Sequence, residues 1–187
     1  MITESIEKFL ELLTLVSTVA LGLLVVLFVL KFVFGVKTKV YDYTVHFLQD
    51  NYIFLGFIVA LIATAGSLFY SDVMGYVPCK LCWYQRIFMY PQTLLFLISM
   101  KIKNKVVVIN SIVLSVIGGL IAGYHYLMQR GVVSEGGCDV VGFSVKCSEF
   151  FSLSYGFITI PLMAFVAFVI LVVLGYGKLR AIAVRGK

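Results

Sequence analysis

Residues 78–86 of the chain read Pro-Cys-Lys-Leu-Cys-Trp-Tyr-Gln-Arg, at the point where one apolar run ends and the next begins. Cys79 and Cys82 have the two-residue spacing that recurs where thiols turn over. The two remaining cysteines, Cys138 and Cys147, fall together in one later loop. Four cysteines in two local pairs indicate two redox pairs acting in series.

The composition indicates a membrane protein. The chain is 61% hydrophobic and 13% charged, far more apolar than a soluble domain. Crossing the hydrocarbon core takes about 20 apolar residues. Long uncharged runs occupy residues 12–30, 52–70, 106–129 and 150–177. A fifth run, 87–100, reaches a workable length only when it is extended back to Cys82, which includes Arg86. We therefore predict an all-α protein with five transmembrane helices.

The first apolar run is predicted to be an anchor helix and not a signal peptide. Its apolar core is longer than that of a usual signal peptide. It also lacks a basic start, because Glu4, Glu7 and Glu11 outweigh Lys8. The chain then divides into an N-terminal helix with a linker (1–51), a four-helix bundle (52–180) and a basic tail (181–187).

The basic residues predict the orientation in the membrane. When the loops are assigned to alternate sides, ten of the fifteen Lys and Arg residues fall on one side. The positive-inside rule makes that side cytoplasmic. The N-terminus and both cysteine pairs then face outward, while the linker and the C-terminus face inward. This topology accounts for the positive charge, so we expect membrane lipid around the chain and no nucleic-acid partner.

The cysteine pairs have structural alternatives. Outside the cytoplasm disulfides persist, so each pair could be a static clip, and the longer ring of Cys138 and Cys147 suits that role better. Four thiolates could also bind zinc, but structural zinc sites usually repeat the short gap in both halves. Eight residues separate Cys138 from Cys147, so no metal is predicted.

Two further residues are candidates for a ligand site. Cys82 lies near a predicted helix start, where the helix dipole favours a thiolate, and Arg86 lies four residues on, on the same face. Arg86 could instead reach the lipid headgroups and only anchor the helix end. His125 ends the fourth predicted helix on the outer side. It could bind a polar ligand head or simply donate to a carbonyl.

Together these motifs resemble the DsbB family of membrane thiol–quinone oxidoreductases, over about residues 52–180. The resemblance is carried by the cysteine pair followed by Trp-Tyr-Gln-Arg at 83–86, by Tyr124-His125 with Gln129, by the looped pair and by Pro161. It implies a four-helix transmembrane bundle of DsbB type, here with one additional N-terminal transmembrane helix. It also implies the bacterial cytoplasmic (inner) membrane as the location.

The resemblance implies specific roles for these residues. The catalytic residues would be Cys79, Cys82, Cys138 and Cys147. The electron acceptor would be a quinone, ubiquinone or menaquinone, with Arg86 and His125 as candidate partners of its oxygens. The donor would be a DsbA-like thioredoxin-fold protein that attacks Cys138, after which Cys147 would engage Cys79.

The chain differs from the family pattern in two ways, and two alternative functions are compatible with its sequence. The additional N-terminal helix and the short outer loop differ from the family pattern. A non-enzymatic accessory protein or carrier with two structural disulfides is one alternative. The other is the same machinery run in reverse, because the direction of electron flow depends on relative potentials.

Overall fold

The computed structural model describes residues 2–33, 39–101, 105–134, 146–149 and 151–185. Six α-helices account for most of this part of the chain. They are α1 (Ile2–Val33), α2 (Lys39–Asp50), α3 (Tyr52–Leu68), α4 (Lys80–Ser99), α5 (Lys105–Gln129) and α6 (Ile160–Arg185). A π-helical turn, Phe69–Val73, extends α3. The all-α prediction is therefore confirmed for the described residues.

Among the described residues, four helical segments are long and apolar enough to cross a membrane. They are Thr3–Leu30, Tyr52–Val73, Val106–Gln129 and Ile160–Ala183. Helix α4, which carries the cysteine motif, does not meet this measure. Four of the five predicted spans, including the N-terminal one, are thus candidate spans, and a fifth is not shown.

The last helix begins ten residues later than the apolar run that predicts it. Residues 151–159 are not helical, and an isolated antiparallel bridge joins Ser154 to Ile158. Tyr155 and Gly156 have positive φ angles of 52° and 76°, which a right-handed helix cannot include. Helix α6 then starts with Ile160 and Pro161, because proline fits the first helical turn, where its missing N–H is no loss.

Helices α3 to α6 pack into one bundle, with α5 against α4 and α6, and α3 against α4 and α6. Its core contains the fully buried rings of Tyr52, Phe96 and Phe168. Gly118 of α5 lies directly against the Phe168 ring, so a side chain there would clash with it. The two helices can therefore approach closely.

The polar residues of α4 are satisfied inside the bundle. Gln92 is fully buried, and its Oε1 accepts hydrogen bonds from Ser111 (2.8 Å) and Ser115 (3.1 Å) of α5. Its Nε2 donates to the Phe88 carbonyl at 3.0 Å. Such internal partners let a helix of mixed polarity stand among apolar ones.

Hydrogen bonds between distant segments define the two ends of the bundle. Glu11 of α1 accepts hydrogen bonds from the hydroxyls of Ser152 and Ser154, in the segment before α6. At the other end, Lys178 Nζ donates to the Gln49 carbonyl at 2.9 Å. The beginning of α1 therefore lies at the same end as the segment that follows Cys147.

Candidate active site at the start of helix α4

The cysteine motif forms the N-terminus of α4. Cys79 is the N-cap residue in an extended conformation (φ −74°, ψ 171°), and its sulfur accepts a hydrogen bond from the Cys82 N–H at 3.4 Å. Such a cap satisfies one of the N–H groups that a helix start leaves free. Cys82 consequently lies in the first turn of α4, as the sequence predicts.

The two thiols of this motif meet the later loop at one point. Cys79 and Cys82 are free, with sulfurs 3.0 Å apart. The sulfurs of Cys79 and Cys147 and a ring nitrogen of His125 all lie within 4.8 Å of one another, and all three residues are buried. Cys147 is itself disulfide-bonded. Cys138 lies outside the described residues, so its pairing with Cys147 stays a prediction.

This cluster has metal-ligand residue types, but its chemistry suits sulfur exchange better. Zinc binds cysteine as a thiolate, and the Cys147 sulfur is in a disulfide. A thiolate within reach of a disulfide sulfur is instead the arrangement from which exchange starts.

His125 of α5 is oriented between the two cysteine segments. Its Nε2 lies 3.0 Å from the Cys147 carbonyl oxygen and 3.7 Å from the Cys79 sulfur. Its Nδ1 lies 3.0 Å from Nε2 of Gln85. Because a carbonyl only accepts and an amide nitrogen only donates, Nε2 of His125 donates to the Cys147 carbonyl and Nδ1 accepts from Gln85. The alternative in which His125 donates to a carbonyl is therefore present in the structure.

Gln85 is a site residue that the sequence analysis leaves without a role. It is buried and orients His125 from α4. Its signal in the sequence is weak, since a glutamine in the first turns of an interfacial helix more often faces solvent. Only the packing of α4 on α5 turns it inward.

The pKa of the Cys79 thiol is held well below its ordinary range. The hydrogen bond from the Cys82 thiol is the largest cause, and the hydrogen bond from His125 adds to it, while burial acts in the opposite direction. A lowered pKa favours the thiolate form of Cys79, which is lost as the pH falls through that pKa. The sequence pattern favours Cys82 as the thiolate, whereas the tertiary contacts favour Cys79.

Arg86 is hydrogen-bonded to α3. Its Nε donates to the Ser67 hydroxyl at 3.0 Å, and a terminal nitrogen donates to the Ser67 carbonyl at 3.2 Å. The guanidinium also lies 5.1 Å from the centre of the Trp83 ring. Tyr90 donates to the same Ser67 hydroxyl at 3.1 Å. Ser67, a small polar residue in an apolar helix, is a second site residue that sequence reasoning misses.

Two cavities flank the cysteine motif. The larger, of about 290 Å³, lies between α1, α3, α4 and α6; Cys82 and Arg86 line it beside mostly apolar side chains. The smaller, of about 30 Å³, is lined by Cys79, Cys82, His125 and Cys147 among others. Cys82 borders both cavities. His125 borders only the smaller one, so contact of His125 with a ligand in the larger one stays a prediction.

The segment that carries Cys147 is held at the site from both sides. Gln129 Nε2 donates to the Glu149 carbonyl at 2.9 Å. Phe151 stacks on Tyr76 with ring centres 5.0 Å apart, next to the cysteine motif. Phe150 lies outside the described residues. These contacts keep Cys147 near Cys79 although 67 residues separate them in the chain.

Comparison with known proteins places these features in one family. The model of a family described as "Disulfide bond formation protein DsbB" matches residues 49–176. A "Probable disulfide formation protein" of Oceanobacillus iheyensis is 45% identical over 132 residues, 70% of this chain and 90% of that protein. "Disulfide bond formation protein C" of Bacillus subtilis is 37% identical over 122 residues, 65% and 88% of the two chains. No solved structure matches the chain.

Proposed function

The chain belongs to the DsbB family of disulfide bond formation proteins, and on that premise we propose that it passes electrons from a thioredoxin-fold dithiol protein to a membrane quinone. The observation that carries this proposal is the meeting of Cys79, Cys147 and His125 at the start of α4. It brings a loop cysteine to the membrane-edge pair, as a serial relay of disulfides requires.

The first exchange takes place in the loop. A thiolate of a DsbA-like partner attacks Cys138 and breaks the Cys138–Cys147 disulfide, releasing Cys147 as a thiolate. The second thiol of the partner then attacks its own cysteine in the mixed disulfide. The partner leaves with a new disulfide, and both loop cysteines are reduced.

The second exchange moves the two electrons inward. The Cys147 thiolate attacks Cys79 of an oxidised Cys79–Cys82 pair, and Cys82 departs as a thiolate. Cys138 then attacks Cys147, which restores the loop disulfide and releases Cys79 as a thiolate. The low pKa of Cys79 supports this step, because a low-pKa thiol is the better leaving group. His125 Nε2, 3.7 Å from this sulfur, shares its proton between the departing sulfur and the Cys147 carbonyl.

The larger cavity fits a lipophilic electron acceptor. It is apolar, borders Cys82 and offers the guanidinium of Arg86 as a hydrogen-bond donor. A bound quinone would accept the two electrons of the reduced Cys79–Cys82 pair, together with the proton of the Cys82 thiol and a second proton from solvent, as the Cys79–Cys82 disulfide forms again. Arg86 would orient the ring by donating to one of its oxygens, and the apolar walls would exclude water. The quinone is ubiquinone or menaquinone.

We further propose that α4 is a fifth membrane span. Its 20 residues correspond to about 30 Å of helix, the thickness of a hydrocarbon core. Its polar side chains find partners on α3 and α5, which supports insertion despite a mixed composition.

The proposed orientation puts both cysteine pairs outside the cytoplasmic membrane and the C-terminus inside. A thiol reagent that cannot cross the membrane should label reduced Cys138 in intact cells. Labelling that occurs only after the membrane is opened would show that the opposite orientation is correct.

Reconstitution tests the function directly. Vesicles that contain the full chain and either quinone should oxidise a reduced thioredoxin-fold donor and form one quinol per donor disulfide. Quinol absorbance and donor thiol content are followed together. Transfer only from quinol to an oxidised donor would indicate the reverse direction. No transfer in either direction would favour an accessory protein or carrier.

A further inference from the structure

We propose that α1 forms one wall of the larger cavity and helps to determine how tightly a quinone ring binds there. The inference rests on the proposed function and adds a helix to it. The family match covers residues 49–176 and so leaves out α1, which spans Ile2–Val33. Nevertheless, α1 contributes side chains to the same cavity that Cys82 and Arg86 border.

The α1 residues at the cavity form one stripe along the helix. They are Leu10, Leu13, Thr14 and Ser17. Their spacing of three and four residues puts them on a single face. Outside this stripe the helix is exposed: Val16 retains 57% and Val19 55% of their accessible surface. The helix therefore separates the cavity from the surroundings of the bundle.

The chemistry of this wall differs from that of α4. The Thr14 hydroxyl donates to the Leu10 carbonyl at 2.8 Å, so its proton is used within α1. A quinone oxygen only accepts hydrogen bonds, and α4 offers the guanidinium of Arg86. The apolar atoms of α1 would suit the ring or the first part of its tail, and Arg86 would supply a hydrogen bond to a ring oxygen.

Glu11 holds this stripe against the bundle. It is 8% exposed and accepts hydrogen bonds from Ser152 and Ser154. A carboxylate within a membrane span is costly unless such partners satisfy it. Because both serines follow Cys147 closely in the chain, Glu11 links α1 to the segment that carries the loop cysteine. Glu11 is thus a positioning residue.

Photolabelling of the unmodified full chain tests the wall directly. An azido-quinone is irradiated with the protein in lipid nanodiscs, and the labelled peptides are identified by mass spectrometry. We expect label within residues 10–17 and within α4. Label in α4 but none in α1 would overturn the wall and leave the quinone site standing. Absence of label from every wall, together with no quinone-dependent thiol oxidation, would instead reject the proposed function.

Two substitutions in α1, one at the cavity and one on the exposed side, test how much this helix contributes to quinone affinity. Ser17→Phe should fill part of the cavity and weaken quinone binding by roughly tenfold, about 1.4 kcal/mol. Val16→Phe, on the exposed face, is the matched control and should bind as the unmodified protein does. Binding is read from quenching of Trp83, the single tryptophan of the chain. Equal quinone affinities of the two variants would overturn the proposal.

The positioning role of Glu11 is tested by two substitutions. Glu11→Leu removes both hydrogen bonds and should weaken quinone binding, whereas Glu11→Gln keeps an oxygen that accepts them and should restore it. Reduction of the loop disulfide by a small dithiol should be the same in both variants. Equal quinone affinities for Glu11→Leu and Glu11→Gln would show that Glu11 does not position α1 at the cavity.

Discussion

Cys79 and Cys82 lie only three positions apart in the chain, but their surroundings differ. Cys79 is buried at a small cavity of about 30 Å³ with His125 and Cys147. Cys82 also borders an apolar cavity of about 290 Å³ with Arg86. Disulfide exchange needs sulfurs in close approach, and a lipophilic acceptor needs a dry space of its own. The start of one helix separates these requirements.

The comparison also separates the two polar residues that flank the motif. Arg86 faces α3 and the larger cavity, while His125 faces the smaller site. If the two cavities have different roles, substitutions on the two sides should change different measured quantities.

Replacing either cysteine of the motif should abolish quinone reduction. In Cys82→Ser, Cys79 can still form a mixed disulfide with Cys147, because these two sulfurs lie within 4.8 Å. In Cys79→Ser that disulfide should be absent. Peptide mapping under non-reducing conditions distinguishes the two variants, and exchange of the loop pair with a dithiol partner is the control. Quinone turnover by either variant would show that the pairs do not act in series.

Arg86→Met should affect the larger cavity. Loss of a hydrogen bond from a charged donor costs about 1.5–3 kcal/mol, so the apparent quinone KM should rise roughly ten- to hundredfold. The rate of exchange between the cysteine pairs should change little. Arg86→Lys keeps the charge but loses the planar fork and should recover only part of the affinity. If only protein yield falls, Arg86 is an anchor of the helix end.

His125→Ala should affect the smaller site. It removes a hydrogen bond to the Cys79 thiolate, so the pKa of Cys79 should rise toward the ordinary thiol range. Exchange with Cys147 should slow by about tenfold, the equivalent of one hydrogen bond at roughly 1.4 kcal/mol. Thiolate absorbance against pH and single-turnover exchange are the measurements. A raised quinone KM with unchanged exchange would move His125 to the quinone site.

Gln85→Leu should produce a smaller effect of the same kind. It removes the partner of His125 Nδ1 and leaves the ring free to turn. Exchange should slow by a few-fold, about 0.5–1 kcal/mol, with the quinone KM nearly unchanged. Gln92→Leu is a useful control, because Gln92 contacts α5 far from the cysteines. A normal exchange rate in Gln85→Leu would show that packing alone orients His125.

The reactivity of the reduced Cys79–Cys82 pair should depend on pH. A lowered pKa means that the Cys79 thiolate is present at neutral pH and is lost as the pH falls through that pKa. Alkylation of reduced Cys79 should therefore remain fast into the acid range, well below the ordinary thiol pKa. If the rate falls on going from pH 9 to pH 7, His125 and Cys82 do not stabilise the thiolate.

The sequence alone was sufficient for the helical class, the family and the place of the cysteine motif at a helix start. These follow from local properties: uncharged runs predict the apolar helices, and the spacing of Cys79, Cys82 and Arg86 is read directly from the chain. The start of the last helix was harder to predict from the sequence. Residues 151–159 carry no charge and extend the uncharged run, but positive φ angles at Tyr155 and Gly156 interrupt a right-handed helix there.

Which residues meet was decided by the tertiary structure. The partners Gln85 with His125, Ser67 with Arg86, and Cys147 with Cys79 come from different helices or loops, and no local pattern joins them. The same holds for the thiolate. The helix start and Arg86 favour Cys82 in the sequence, but hydrogen bonds from Cys82 and His125 favour Cys79. A pKa depends on the groups around a sulfur in space, and the sequence lists only its neighbours along the chain.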